Sequence, residues 1–474
     1  MRAFNVILSF AFIYSLSAFA QKTEILTLDR AIQIGLENSY EMNQAKSLLQ
    51  QYQHDLKAWK LQYSSNANIE VAAPMYTNRF REVPDPATGK IHIVREDYVS
   101  YRSSLIINQP ISFTDGTLSF QNSLYNLRQH GEITYQSDIV LNYNQPLFKI
   151  STRKINLKRA EYYLKRTKIN YYRQKRELKY NITERFLNLL GAKKNIEIAH
   201  DALKRAQVAW DLAQAKYRTG LYSEMDLLKS EVDALNEQNN LNAQEEIYDQ
   251  LLEQFKLYIG LKRADTIDIA HSLAIDSIQI TESELLKQAI QNYPDRLLNE
   301  IDIKLSELEI KYEKAQRQFT IDLNLQYGFS QIKDNLRDLF GQPEMTQIAN
   351  IGVFIPLWDC GQNKESVLAA KEELVSSQLM LNQSNEALKV EIKTILLSLN
   401  TSHRSLTLAE QAESKAQKSY EYSLLQFNAG TITSDELSLA RQRLNRASLN
   451  ALNAKIKYLL AIEMIKKHLT KMDT

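Results

Sequence analysis

One stretch occurs twice, and its spacing limits what the chain can fold into. Pro146-Leu147-Phe148 opens a long run that ends at Tyr217-Arg218-Thr219-Gly220. Pro356-Leu357-Trp358 opens another that ends at Phe427-Asn428-Ala429-Gly430. The interval 146–220 equals the interval 356–430, so the copies match without an insertion. A fixed long period signals tandem duplication and divides the rest of the sequence into two halves.

Within each copy apolar residues recur at every seventh position. The first carries Leu189, Ile196, Leu203, Trp210 and Tyr217, with Leu157, Leu164, Tyr171 and Leu178 upstream. The second carries Val367, Leu374, Leu381, Leu388 and Ile395. Sustained heptads with charged flanks predict coiled-coil helices, each about 100 Å long at 1.5 Å per residue. Gly220 and Gly430 suit the left-handed backbone that ends a helix, and Ser223 and Thr433 suit caps of the helices that return. The prediction is two αα-hairpins, 153–260 and 362–468, whose returning helices are shorter than their partners. Opening helices over 27–61 and 283–319 are available to cover the remainder.

Before each proline the period changes to two. Alternation at 67–76, 139–144, 321–327 and 348–358 predicts strands, and Pro146 and Pro356 mark strand-to-helix junctions. Such runs fit strands with one face in lipid and one in water, and equally half-buried strands of a soluble sheet. The first half also carries an insertion over 79–136. Within it, 101–113 and 117–127 predict a further strand pair about Thr114-Asp115-Gly116. The pattern leaves open whether this pair joins a barrel or forms an outside flap.

Arg2, an apolar run over 4–16 and Ala18-Phe19-Ala20 predict a signal peptide over 1–20. No later run reaches the roughly 18 apolar residues of a spanning helix, so any membrane span must be made of strands. The organisation expected is therefore a signal peptide 1–20, a first repeat 21–260, a β-bearing linker 261–280 with weak alternation at 266–269 and 275–278, and a second repeat 281–474. With 44% hydrophobic residues, 12 Gly and 8 Pro, the composition is that of a folded, helix-rich chain. A net charge of +2 gives no global field for nucleic acid. The seven His residues lack metal-ligand spacing, and no phosphate loop or nucleophile elbow occurs. The expectation is no enzyme, no cofactor and no metal.

Several short motifs fall in a fixed order: Leu26-Thr27-Leu28-Asp29 with Ala31, Leu36-Glu37-Asn38, Gln145-Pro146-Leu147-Phe148, Ile355-Pro356-Leu357-Trp358-Asp359 with Gly361, and the turns at 217–228 and 427–437. In these the chain resembles the TolC family of outer-membrane efflux channels, over nearly all of 21–474. The resemblance implies an α+β fold of two tandem repeats, with antiparallel coiled-coil hairpins in a periplasmic α-barrel and a transmembrane β-barrel shared by a homotrimer. It implies a passive export duct in outer-membrane lipid, coupled through a periplasmic adaptor to an inner-membrane transporter, in tripartite efflux or type I secretion. The rival expectation is an exported coiled-coil adaptor or spacer, which would lack paired strands before each hairpin.

The resemblance also places roles on residues. It puts adaptor docking at Gly220-Leu221 and Gly430-Thr431. Glu436 matches one of two carboxylates of a tunnel constriction, Leu439 standing at the second. Asp226 matches a position that helps lock the closed state, but Ile432 and Phe427 stand where its basic and tyrosine partners are usual. Glu436 and Asp226 are also favourable acids for the first turn of a helix. Finally, residues 149–179 carry Lys149, Arg153, Lys154, Lys158, Arg159 and seven further Lys and Arg against Glu161 and Glu177, whereas 359–389 is nearly balanced. A solvated helix face accounts for such a run. The functional expectation is a basic belt near the membrane, lining the tunnel for anionic cargo or facing phospholipid headgroups.

Overall fold

The computed structural model describes residues 24–86, 88–129, 132–262, 265, 267–270 and 280–469. The signal peptide expected over 1–20, Thr266 and the strand expected at 275–278 lie outside the described residues. The chain divides into two compact units, one made of Leu49–Thr167 and Leu298–Leu381, the other of the remaining segments.

The first unit holds a six-stranded antiparallel sheet. Its strands are β2 (Asn66–Pro84), β3 (Ile91–Pro110), β4 (Thr117–Gln129), β5 (Glu132–Phe148), β7 (Thr320–Lys333) and β8 (Glu344–Phe354), paired in that order. Asp115 takes φ 60° in the turn between β3 and β4, a conformation that Asp tolerates better than most residues. The strands outrun the sequence pattern, and the insertion expected at 79–136 begins inside β2 and ends inside β5. The reason is that charged cross-strand pairs extend β2 and β3 beyond the apolar alternation: Glu96 meets Arg79 at 2.7 Å and Arg81 at 3.2 Å.

The junction prolines differ. Pro146 lies inside β5, where the register shifts between Pro146 and Phe148, whereas Pro356 lies between β8 and the helix that follows.

Four long helices follow the strands. α3 (Thr152–Arg218) and α7 (Gln362–Asn428) each have 67 residues, and α4 (Glu224–Ile259) and α8 (Ser434–Leu469) each have 36. The opening helices are each broken in two. α1 (Leu28–Asn38) and α2 (Tyr40–Leu61) part at Ser39, which has ψ 144°; α5 (Glu282–Asn292) and α6 (Pro294–Gln316) part at Tyr293, held extended by the proline after it. In the sheet-bearing unit these helices cover the ends of the long ones that the returning helices do not reach. Tyr52 of α2 meets Tyr163 of α3, and Ser306 of α6 meets Ser377 of α7 at 3.1 Å.

In the other unit β1 (Glu24–Leu26) pairs in parallel with β6 (Ile267–Ile269). Leu26, Ile34, Leu178, Ile182, Phe255 and Ile259 form one core there. Leu285, Leu388, Ile392, Ile462 and Ile465 form a second. Among the described residues no helix is long and apolar enough to cross a membrane.

Candidate functional site

The two hairpin tips are built alike. Gly220 and Gly430 take φ 76° and 77°, the left-handed backbone that glycine adopts without a Cβ clash. The residue after each glycine donates its N–H back to the last helical turn, Leu221 to the Lys216 carbonyl at 2.9 Å and Thr431 to that of Gln426 at 3.0 Å. This is the arrangement that satisfies helix-end carbonyls.

The returning helices start on matching caps. Ser223 Oγ accepts from the Asp226 N–H at 3.2 Å while the Asp226 carboxylate accepts from Ser223 N at 3.3 Å. Thr433 and Glu436 repeat the pattern, with 3.2 Å from Glu436 N to Thr433 Oγ1 and 2.8 Å from Thr433 N to the carboxylate. Hydrogen bonds from Ser223 hold Asp226 below the usual carboxylate range. In one chain, then, both acids close capping boxes.

Contacts between the hairpins lie beside the tips. Lys229 reaches Asp435 at 3.0 Å, and the Ser230 and Ser434 hydroxyls are 3.1 Å apart. Deeper, Asp233 accepts from Arg441 and from Ser438, each at 2.6 Å. Phe427 is fully buried against Tyr222, and the Lys216 ammonium sits 4.2 Å from its ring centre and donates to its carbonyl. Burial pushes the Lys216 ammonium down from its ordinary value. Ile432 packs at the edge of this cluster.

The position expected to bear a tyrosine therefore serves as an apolar anchor, and the polar contacts fall on other residues. Sequence reasoning missed Lys229, Asp233, Asp435 and Arg441. Each pair joins residues of two different hairpins that are far apart in sequence, so no local pattern marks it.

The basic residues near the sheet are largely engaged. Arg159 pairs with Glu309 and lies 4.4 Å from the Tyr312 ring centre. Arg153 stacks on Tyr63 at 5.5 Å, and Lys154 donates to the Phe113 carbonyl at 3.2 Å. Arg166 meets Asp302 at 3.2 Å. In the other unit Arg173 meets Asp295 at 2.9 Å. Lys149 and Lys158 are exposed.

The sheet has two chemically distinct faces. One row across it reads Ala67, Ile107, Phe120, Leu141 and Tyr327, and the row beside it on the same face reads Ile69, Leu105, Asn122, Ile139 and Phe329. The opposite face carries Asn66, Asn108, Ser119, Asn142 and Gln326 in one row. Asn144, Asn324 and Asn350 stand side by side in another.

A two-faced antiparallel sheet of membrane-length strands, joined to hairpins of very long helices, defines the class of outer-membrane efflux channels. The family model described as outer membrane efflux protein matches residues 114–261 and 285–469. The chain belongs to this family, and it is an outer-membrane protein of efflux rather than an enzyme.

Outer membrane protein TolC of Vibrio cholerae is 21% identical over 355 residues, 72% of this chain and 79% of that protein. The fold is similar to that of VceC from Vibrio cholerae, with TM-score 0.71 and 14% identity over 94% of this chain and 97% of that one. CusC gives TM-score 0.72 and 14% identity, covering 97% and 96% of the two chains. The CmeC outer membrane channel of Campylobacter jejuni gives 0.71 and 14%, covering 94% and 87%. Strand pairs precede both hairpins, the feature that the rival spacer reading lacks.

Proposed function

We propose that this chain is the passive outer-membrane duct of a tripartite efflux or type I secretion assembly. Three copies close their sheets into one β-barrel in outer-membrane lipid, and their hairpins form the periplasmic tube. An inner-membrane transporter drives export through a periplasmic adaptor that docks at Gly220-Leu221 and Gly430-Thr431. Glu436 rings the constriction, with Asp226 beside it.

The observation that carries this reading is the sheet. One face is mainly apolar, the other mainly polar, and among the described residues the outer edges of β2 and β8 are unpaired in a single chain. A free edge is untenable in hydrocarbon, where each unsatisfied backbone group costs several kcal/mol. Closure with further copies removes it. The exposed Lys149 and Lys158, close to the end of β5, suit phospholipid headgroups.

Membrane fractionation and heat-modifiable gel migration test the proposal. The expected result is an outer-membrane species that runs as a trimer unheated and as a monomer after boiling. A soluble monomer overturns it.

A further inference from the structure

We propose that the hairpin β2–β3 is part of the channel wall, so that each chain supplies six strands and three chains close an 18-stranded barrel. This rests on the trimeric duct proposed above and fixes what that duct is made of.

The family match begins at residue 114, so β2 and β3 both lie outside it. Within the matched segments each long helix is preceded by one strand pair, β4–β5 before α3 and β7–β8 before α7. Between the opening helix and the long helix the first half carries two strand pairs and the second half one, so the first half has a pair with no counterpart in the second.

It is joined to the sheet as closely as any other strand pair. β3 pairs with β4 without a break from Val99↔Arg128 to Pro110↔Thr117. The polar face continues across it through side-chain hydrogen bonds. Asn108 donates to Asn66 at 3.1 Å, and the buried Ser104 and Ser123 hydroxyls lie 2.9 Å apart. On the other face Ile69 and Val71 of β2 are 73% and 75% exposed, in line with the apolar rows of the remaining strands. A flap outside the wall has no reason to keep its faces in phase with the sheet, and detaching it would strip β4 of its whole ladder with β3.

Closure also works by parity. Six antiparallel strands leave β2 and β8 running in opposite senses, so edge-to-edge contact between copies is antiparallel at every junction, as in even-stranded outer-membrane barrels. Beyond Val99, among the described residues, β2 and β3 pair only with each other. There they form an arm held by Arg79, Arg81 and Glu96, on the side away from the Thr114-Asp115-Gly116 turn.

Barrel diameter grows roughly linearly with strand number, and barrels of about 16–18 strands hold an aqueous channel. The membrane pore is therefore about one and a half times as wide as one closed by the four matched strands alone. It is lined largely by the amides of residues such as Asn66, Asn108, Asn142, Asn324 and Asn350. A pore of that width and chemistry passes bulky hydrated cargo and leaves selection by size to the helical tips.

Disulfide trapping distinguishes the two walls. In a Cys360→Ser background, Asn350→Cys on β8 is combined in turn with cysteine at Asn66, Asn68, Glu70 or Ala72 on β2, and with cysteine at Ser119, Gln121 or Ser123 on β4. The expected result is a covalent ladder of dimer and trimer from at least one β2 partner and from none on β4. A ladder from a β4 partner overturns the proposal. Electron cryomicroscopy of the purified trimer, viewed along the barrel axis, is expected to count 18 strands, and a count of 12 overturns it whatever the cross-links show. If the Cys360→Ser parent runs as a monomer before and after boiling, the trimeric duct itself fails, and that is seen before any cross-link is read.

Discussion

Arg441 is the charge at the tips that matters most to their cohesion, because its side chain is only 4% exposed. Its Nη2 lies 2.6 Å from Asp233, so removing Asp233 strands a buried guanidinium. Asp233→Ala is expected to destabilise the contact between α4 and α8 by about 3 kcal/mol. Lys229→Ala, which frees the largely exposed Asp435, is expected to cost less than about 1 kcal/mol. Hydrogen exchange of residues 434–445 measures both, and equal protection losses would remove Arg441–Asp233 as the main tie.

A second residue-scale prediction concerns Glu391. His468, with Nε2 3.2 Å from its carboxylate, is the main cause holding Glu391 below its ordinary value of 4.5, and Tyr293 adds a hydrogen bond. A carboxylate whose native pKa is lowered contributes stability that is complete above its unfolded value and is lost as pH falls through the native one. The difference in thermal midpoint between the native protein and Glu391→Gln is therefore expected to close as the pH drops below about 4.5. A gap that persists in stronger acid would show that the carboxylate's charge is not what stabilises this cluster.

At the scale of elements, the long helices were legible because their signals are local. Heptads set their phase, and a glycine followed by Ser223 or Thr433 set the turns. The opening helices expected over 27–61 and 283–319 are interrupted at Ser39 and at Tyr293 before Pro294, because a single extended residue ends one helix without changing the apolar spacing on either side. The full strands β2 and β3 were not legible, since their outer parts are held by charged pairs such as Arg79–Glu96 instead of apolar alternation.

The basic run of α3 misled for a related reason. Its counter-charges are on α6, more than a hundred residues away, where Asp295, Asp302 and Glu309 recur at the same seven-residue step as Arg173, Arg166 and Arg159. A charge count confined to 149–179 sees only one side of these pairs. Arg159→Ala removes both an ion pair and a stacked ring and is expected to cost about 1–2 kcal/mol, while Arg166→Ala, more exposed, is expected to cost under about 1 kcal/mol. A double-mutant cycle with Glu309→Ala checks the first value. A coupling near zero would return Arg159 to the status of a solvated charge.

At the scale of the whole molecule, the proposed trimer would add to residues that are already satisfied in one chain. Glu436 closes a cap with Thr433, and the proposed carboxylate ring would exist only where three copies bring it together. In such a ring the like charges would draw cations toward the opening. Glu436→Ala alone cannot separate the two roles, because it removes the charge and the cap together, and loss of a cap costs about 0.5–2 kcal/mol. Glu436→Gln can, because glutamine also serves as the third residue of a capping box. Both variants are expected to lose cation selectivity in a planar bilayer, while only Glu436→Ala is expected to weaken exchange protection at the start of α8. If Glu436→Gln keeps the selectivity of the native channel, the carboxylate lies outside the constriction and its work is confined to the cap.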